Sequence, residues 1–300
     1  DAKEIRADLA KYLNGESQVN LTAENIWAAN GSNEVMQQLL QLFGGPDKTL
    51  VAFDPTYSMY EDYCRNTFTK YLSVSRNEDF TIDQKVIDNA LALNPDIIVL
   101  TSPNNPTGTV IEASDIDYLL QNFPGVLIVD EAYAEFRSVD SPSALSKLDS
   151  NPRLIVVRTM SKAFSFAGAR VGYIAANPEL VEAIQLVRLP YHLSAITQAA
   201  AEVALEYQGE LLGTVATLIE SRKKVIAALA ELGLSVSPSS ANFIVFSGFS
   251  LEPSQLWRQL LDRGVLIRDV GLLGHLRMTI GNEAENQRFI SALKEILNKL

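Results

Sequence analysis

Four short runs of consecutive apolar residues constrain this sequence more than any other feature. They occupy residues 50–53, 97–100, 126–129 and 154–157, with amphipathic stretches before and between them at 34–43, 56–66, 83–93 and 114–122. A continuous apolar run, in contrast to an alternating one, is typical of a strand covered on both faces by helices. We therefore predict an α/β fold with a mostly parallel central sheet and helices on both faces.

The C-terminal third follows a different pattern, which predicts a smaller domain of the α+β class. A helical zone at 195–231 precedes predicted strands near 234–236, 242–247, 265–268 and 276–280, and predicted helices near 253–263 and 283–298. A chain of 300 residues is long enough for two domains. We place the boundary inside the helical zone, which gives a large domain at 1–205 and a small domain at 206–300.

The charge balance and the cysteine count exclude several classes of partner. The chain has 36 acidic and 25 basic side chains, a net charge of −11, which disfavours nucleic acid and anionic membrane surfaces. No apolar run approaches the roughly 18 residues that span a bilayer. The single Cys64 cannot form an internal disulfide, so we predict a cytoplasmic protein. With only two distant histidines, His192 and His275, we predict no metal site.

In open α/β sheets, functional side chains collect where strands end and helices begin. Two such junctions are rich in Gly, Asn and Pro: Asn30-Gly31-Ser32-Asn33-Glu34 and Ser102-Pro103-Asn104-Asn105-Pro106-Thr107-Gly108. The first precedes a predicted helix, where a glycine and free amides favour a phosphate, although an ordinary helix cap is the alternative. The second would mount the amides of Asn104 and Asn105 rigidly, and a plain turn is the alternative.

Two further junctions carry charged side chains. Asp130, in Asp130-Glu131-Ala132-Tyr133, ends an apolar run, where a carboxylate needs a cation or a hydrogen-bond donor. It would suit a positively charged ring nitrogen, and a structural ion pair is the alternative. Lys162, in Thr159-Met160-Ser161-Lys162-Ala163-Phe164, lies among small and apolar residues, where desolvation would lower its pKa and leave a nucleophilic amine. A solvated surface amine is the ordinary alternative for a lysine.

Three arginines complete the candidate site. Arg170 follows Lys162 by eight residues, and its planar guanidinium matches the oxygens of a phosphate. Arg268 and Arg277 flank or interrupt strand-like apolar runs in the C-terminal part. Each of these two could bind a substrate carboxylate or phosphate, or pair with a protein carboxylate.

Together these residues match the needs of pyridoxal 5′-phosphate. Lys162 would hold the cofactor as an imine, and Asp130 would keep its ring nitrogen protonated. Asn105 and Tyr133 would hydrogen-bond its ring hydroxyl, and Tyr57 could stack on the ring. Further cofactor-binding candidates, most of them for the phosphate, are Gly31, Ser32, Asn33, Thr159, Ser161 and Arg170.

The sequence resembles the fold-type I pyridoxal-phosphate aminotransferases, and within them the histidinol-phosphate aminotransferase branch. The resemblance extends from Asp1 to the C-terminus and is most specific in Asn104-Asn105-Pro106-Thr107-Gly108, in Asp130-Glu131-Ala132-Tyr133 and in the segment of Lys162 with Arg170. The branch is indicated by Arg188-Leu189-Pro190-Tyr191-His192-Leu193 and by Arg263-Gly264-Val265-Leu266-Ile267-Arg268-Asp269-Val270-Gly271.

The resemblance implies a homodimeric enzyme of histidine biosynthesis. It would move an amino group between histidinol phosphate, a phosphorylated amino alcohol, and the 2-oxo acid 2-oxoglutarate, which becomes glutamate. Arg277 would grip the substrate carboxylate, and Arg268 would help to hold the substrate phosphate. Relatives also carry a segment ahead of the position of Asp1. We therefore expect a truncated chain whose small domain lacks its usual N-terminal portion.

Two other reactions stay open at this point. An aromatic amino-acid aminotransferase would use the same cofactor residues with a different side-chain pocket. A decarboxylase or C–S lyase could use the same fold, although Arg277 favours an enzyme that holds two carboxylic substrates in succession. A non-enzymatic regulator would need a fused DNA-binding module, which the acidic charge disfavours.

Overall fold

A computed structural model describes residues 2–138 and 141–298. Seven strands form the main sheet in the order β1-β7-β6-β5-β4-β2-β3. Their bounds are β1 Ile26–Asn30, β2 Thr49–Asp54, β3 Lys70–Ser75, β4 Ile97–Thr101, β5 Val126–Asp130, β6 Leu154–Thr159 and β7 Val171–Ala176. The strands from β3 to β6 run parallel, whereas β7 is antiparallel to both β6 and β1. The predicted mostly parallel central sheet is confirmed.

Helices cover both faces of this sheet, because alternate residues of each buried strand point to opposite sides. The helices are α1 Lys3–Ser17, α2 Ser32–Phe43, α3 Met59–Asn66, α4 Gln84–Leu91, α5 Ala113–Asn122 and α6 Pro178–Ile184. On one face α2, α3 and α6 pack on a core that includes Ile128 and Ile155. On the other, α1, α4 and α5 pack on a core that includes Leu127 and Val156.

The helical zone predicted at 195–231 is two helices, α7 Ala195–Glu206 and α8 Gln208–Glu231, separated at Tyr207. Beyond them lies an antiparallel sheet in the order β10-β9-β8. Its strands are β8 Ser235–Val236, β9 Phe243–Ser247 and β10 Leu276–Thr279, and its helices are α9 Pro253–Leu261 and α10 Glu283–Leu297. This is the smaller α+β unit that the sequence predicts.

Helix α8 contacts both parts of the molecule. Val215, in its first half, belongs to the core of the main sheet, while Val225 and Leu229 belong to the core of the small sheet. The division at residue 205 stays a prediction. Among the helices in the described residues, none combines the length and the apolar character needed to cross a lipid bilayer.

One predicted strand is wrong. Residues 265–268 form no strand: Arg268 makes only an isolated bridge with Arg277. The cause is local, because the amide of Val265 donates to Leu260 O at the end of α9, just after Gly264 turns the chain at φ +72°. The backbone of this segment is therefore partly used to close the preceding helix.

Candidate active site

A cavity of about 270 Å³ opens at the carboxyl ends of β4, β5 and β6, beside the start of α2. All the predicted site residues except Gly31 and Arg268 line it: Ser32, Asn33, Tyr57, Asn105, Asp130, Tyr133, Thr159, Ser161, Lys162, Arg170 and Arg277. The parallel strands bring these side chains together because their carboxyl ends share one edge of the sheet. Thr101, Ala132 and Ala167 also line the cavity and were not predicted.

Asp130 forms the floor of the cavity at the end of β5. Its carboxylate accepts hydrogen bonds from the Tyr60 hydroxyl at 2.7 Å and from the Ala132 amide at 3.1 Å. Among the described residues, no cation forms a salt bridge with it. Burial raises the pKa of Asp130, and the Tyr60 hydrogen bond opposes that rise. Tyr60 is almost fully buried in α3 and was not predicted from the sequence.

Lys162 follows β6 and faces the open cavity. Its neighbours Ala163 and Phe164 are buried apolar residues, as the sequence indicates, whereas the Lys162 side chain itself is exposed. Its amine lies 5.5 Å from the centre of the Tyr133 ring. Partial removal from water lowers the pKa of Lys162, and the positive charges of Arg277 and Arg170 lower it further. The arrangement therefore favours a free, nucleophilic amine.

An anion cradle forms between the start of α2 and the loop after β6. Arg170 Nη1 lies 3.5 Å from Ser161 Oγ, which also accepts from Thr159 Oγ1 at 3.0 Å. Ser32 begins α2, so its end of the cavity has the free amides and the positive dipole of a helix N-terminus. Asn33 lies beside it, and its Oδ1 accepts from the Tyr57 hydroxyl at 3.4 Å. This end of the cavity can hold a phosphate.

Two glycines allow the cradle to close. Gly31 does not line the cavity but has φ +83°, and a side chain there would collide with the Arg170 guanidinium. Gly172 in β7 packs against the backbone of Ser32, where any Cβ would collide. Gly31 is predicted from the sequence, whereas Gly172 is not, although it lies only two residues after Arg170.

The opposite wall carries groups that can orient a substrate. Arg277 Nη1 donates to Asn105 Oδ1 at 2.6 Å, and the guanidinium lies 4.8 Å from the centre of the Phe243 ring. The same ring packs edge-on against Tyr133 at 5.1 Å. Burial raises the pKa of Tyr133 to about 12, so its phenol stays protonated at neutral pH. Arg277 Nε is buried with no hydrogen-bond partner among the described residues, so the guanidinium can bind a further anion.

Arg268 lies outside the cavity and is exposed. Its backbone pairs with that of Arg277 through two hydrogen bonds of 2.9 Å. The structure thus brings Arg268 next to the cavity wall without making it part of the lining. Among residues 2–138 and 141–298, no group of three or more His, Cys, Asp or Glu side chains is placed to hold a metal ion.

The model of the family described as "Aminotransferase class I and II" matches residues 1–293. The chain belongs to this family. It is therefore an enzyme of the aminotransferase class, and its cavity is the candidate active site. The architecture of the main sheet agrees with that assignment.

Several named relatives cover nearly the whole chain. It is 52% identical over 299 residues to a histidinol-phosphate aminotransferase of Corynebacterium glutamicum strain R, covering 99% of this chain and 81% of that enzyme. It is 50% identical to histidinol-phosphate aminotransferase 3 of Burkholderia lata, covering 99% and 80%. The solved histidinol-phosphate aminotransferase of Sinorhizobium meliloti in complex with pyridoxal-5′-phosphate matches with a TM-score of 0.86, 25% identity, and coverage of 99% and 82%.

Proposed function

We propose that this aminotransferase is a histidinol-phosphate aminotransferase that uses pyridoxal 5′-phosphate. It moves an amino group between histidinol phosphate and the 2-oxoglutarate–glutamate pair in histidine biosynthesis. The observation that carries the proposal is one cavity in which the Lys162 amine, the Asp130 carboxylate and the Arg170 cradle converge. The chain is 52% and 50% identical in sequence to two enzymes of that name, which supports histidinol phosphate as the substrate.

The residues of the cavity fit this cofactor. Asp130 is a buried carboxylate that has two hydrogen-bond donors and no salt bridge among the described residues, so a protonated ring nitrogen would complete its surroundings. Ser32, Ser161 and Arg170 supply donors for a phosphate at the other end. When bound, the cofactor supplies an aldehyde carbon that bonds to an amine and a cationic ring that accepts an electron pair from the substrate.

The residues around Lys162 have complementary roles. A lowered pKa gives Lys162 the free amine needed to attach to the aldehyde. The same amine would also serve as the base that takes the proton from the substrate Cα and as the acid that gives it back. Tyr133 remains a donor at neutral pH, and Asn105 lines the same cavity, so both could hydrogen-bond the ring hydroxyl. Tyr57 lies close enough to the cavity to stack on the ring.

The two C-terminal arginines would select the substrates. Arg277 lines the cavity and has a buried Nε without a partner among the described residues, which suits the carboxylate of glutamate or 2-oxoglutarate. Arg268, joined to Arg277 by backbone hydrogen bonds, would reach the phosphate of histidinol phosphate at the mouth of the cavity. Binding two anionic substrates in turn favours a transferase over a lyase.

The substitution Lys162→Ala tests the proposed chemistry. It should abolish the long-wavelength absorbance of bound cofactor and lower kcat by at least about 10³-fold, because the covalent attachment and the proton carrier are lost together. Lys147→Ala is the matched control, since Lys147 forms an ion pair with Asp117 away from the cavity at 2.7 Å. Full turnover in the Lys162→Ala protein would overturn the proposal.

The choice of substrate is tested by steady-state kinetics with histidinol phosphate and phenylalanine. We expect kcat/KM for histidinol phosphate to exceed that for phenylalanine by more than tenfold. A preference for phenylalanine would identify an aromatic amino-acid aminotransferase instead. Release of CO2 or pyruvate with no requirement for a 2-oxo acid would identify a decarboxylase or lyase.

We further propose that the enzyme works as a homodimer in the cytoplasm. Four large apolar side chains are exposed in one stretch of chain: Leu186, Leu189, Tyr191 and Ile196. Such a surface suits a partner subunit. The single Cys64 is buried and free, which suits a reducing compartment. Sedimentation equilibrium should give twice the monomer mass of 32.9 kDa.

A further inference from the structure

A row of buried and partly buried hydroxyl groups, one of which lines the cavity, leads to the carboxylate of Asp130. The Tyr60 hydroxyl lies 2.7 Å from Asp130 Oδ2 and 2.8 Å from Thr101 Oγ1. Thr101 Oγ1 in turn lies 3.1 Å from Thr56 Oγ1. The three hydroxyls come from α3, from the end of β4 and from the loop after β2, so the row joins three separate elements.

Counting protons fixes the direction of these hydrogen bonds. An ionised carboxylate only accepts, so the single proton of the Tyr60 hydroxyl goes to Asp130. The contact between Tyr60 and Thr101 must then use the proton of Thr101. By the same reasoning Thr56 donates to Thr101, sharing its proton with Asn104 Oδ1 at 3.3 Å. Every hydroxyl dipole in the row therefore points toward Asp130, and each bond strengthens the next.

We propose that Tyr60, supported by Thr101 and Thr56, is a positioning residue that fixes the orientation of Asp130 and keeps it ionised to receive the cofactor's ring nitrogen. The inference rests on the proposed use of pyridoxal phosphate. With the Ala132 amide on Oδ1 and Tyr60 on Oδ2, the plane of the carboxylate is held from both sides. The Asp130 side chain therefore loses no further conformational freedom when the ring nitrogen binds.

The electrical surroundings of Asp130 make this donor necessary. Apart from Tyr60, the charged and titratable groups that influence Asp130 are the adjacent Glu131, which faces away from it, and Lys162, Tyr57, Tyr63 and Tyr133. Burial and the negative charge of Glu131 both favour the neutral acid, whereas Tyr60, the Ala132 amide and Lys162 favour the carboxylate. Without the Tyr60 donor, Asp130 would take up a proton at a higher pH.

The test is Tyr60→Phe in the full-length protein, because this change removes one hydroxyl and retains the buried ring. Binding of pyridoxal phosphate would be measured by equilibrium dialysis across a range of pH. We expect the Kd of the variant to rise roughly tenfold at neutral pH, the effect of one hydrogen bond to a charged group. The ratio of variant to wild-type Kd should grow as the pH falls, since the variant loses its Asp130 carboxylate first.

Tyr12→Phe is the matched control. Tyr12 is also a buried phenol that donates to a carboxylate, Glu135 Oε1 at 3.2 Å, but it belongs to the core on the opposite face of the sheet. This variant should lose stability without a change in Kd or in its pH profile. An equal rise in Kd for both variants would mean that Tyr60 has only a structural role, and would overturn the inference.

A second pair of variants covers the case in which Tyr60→Phe does not fold. Thr101→Val removes the donor to Tyr60 and Thr101→Ser retains it, so only the former should raise Kd and steepen its pH dependence. If the wild-type protein binds pyridoxal phosphate and neither Tyr60→Phe nor Thr101→Val alters the binding, this inference is wrong and the proposed function stands. If the wild-type protein binds none, the proposed function itself is wrong.

Discussion

Asp130 and Glu131 are consecutive buried carboxylates with opposite surroundings. Glu131 faces away from the cavity and meets Arg158 at 2.8 Å and Arg137 at 3.3 Å, with further hydrogen bonds from Ser143 Oγ and the Ala144 amide. Asp130 faces the cavity, where two neutral donors hold it and no cation forms a salt bridge with it among the described residues. One carboxylate is neutralised by the fold, and the other is not.

This contrast separates structural charge from functional charge. The Glu131 side belongs to a buried cluster in which Arg158 contacts Glu16, Glu131 and Glu135, tying α1 to the ends of β5 and β6. In such a cluster the arginines balance the charges of the buried carboxylates. A buried carboxylate without a cation lowers the stability of the fold unless a ligand supplies one. We therefore expect substitution of Asp130 to lower activity but not stability, and substitution within the Arg158 cluster to lower stability.

The largest expected effect is that of Asp130→Asn on activity. The amide cannot balance a ring cation, so kcat should fall on the order of 10³-fold, about 4 kcal/mol of lost transition-state stabilisation. Because no internal salt bridge is broken, the free energy of unfolding of the cofactor-free protein should be unchanged or higher. Activity would be followed by steady-state kinetics and unfolding by urea titration. A variant that unfolds more easily yet keeps its activity would place Asp130 in the structural class.

The next effect in size is that of Arg158→Met on stability. This substitution keeps much of the side-chain volume but leaves Glu131 and Glu135 facing fewer cations, so the free energy of unfolding should fall by about 3 kcal/mol. The loss would appear as a lower urea midpoint in the cofactor-free protein. Arg258→Met is the control, because the exposed Arg258 lies 3.9 Å from Asp262 in a solvated pair. If both variants gave the same midpoint, the cluster would not hold the strand ends together.

The strands that the sequence predicts and those it misses differ in their source of stability. The strands β2, β4, β5 and β6 are apolar on both faces, so local composition is enough to predict them. β1 and β7 are rich in alanine and contain or adjoin glycine, and they become strands because they pair with each other from Ile26–Ala175 to Asn30–Val171. β3 is a partly exposed edge strand paired only with β2 among the described strands. Pairing between distant segments is not visible in local composition.

The site is more predictable than the network that supports it. Lys162 and Arg170 stand in short segments of unusual composition, which sequence can detect. Tyr60 is an ordinary helix residue whose importance comes from its contact with a residue 70 positions away. Tyr57, three residues earlier, was predicted to contact the ring, but it lies before α3 begins at Met59, so helix periodicity does not link the two tyrosines. Likewise, a structural ion pair was the alternative for Asp130, and only the structure shows that the adjacent Glu131 forms it.

The smallest effect, and the finest test of the contrast, is on the pH dependence of stability. Burial raises the pKa of Asp130 in the folded protein above its unfolded value, so the folded state binds the proton more tightly. Stability from this group is therefore greatest at low pH and declines as the pH rises from the ordinary aspartate pKa to the raised one. Asp130→Asn should lack this decline. The difference in unfolding free energy between variant and wild type should then grow across that window and stay constant above it. Glu135, whose pKa burial also raises, is present in both proteins and should largely cancel in the difference. A difference independent of pH would mean that Asp130 is compensated within the fold, as Glu131 is.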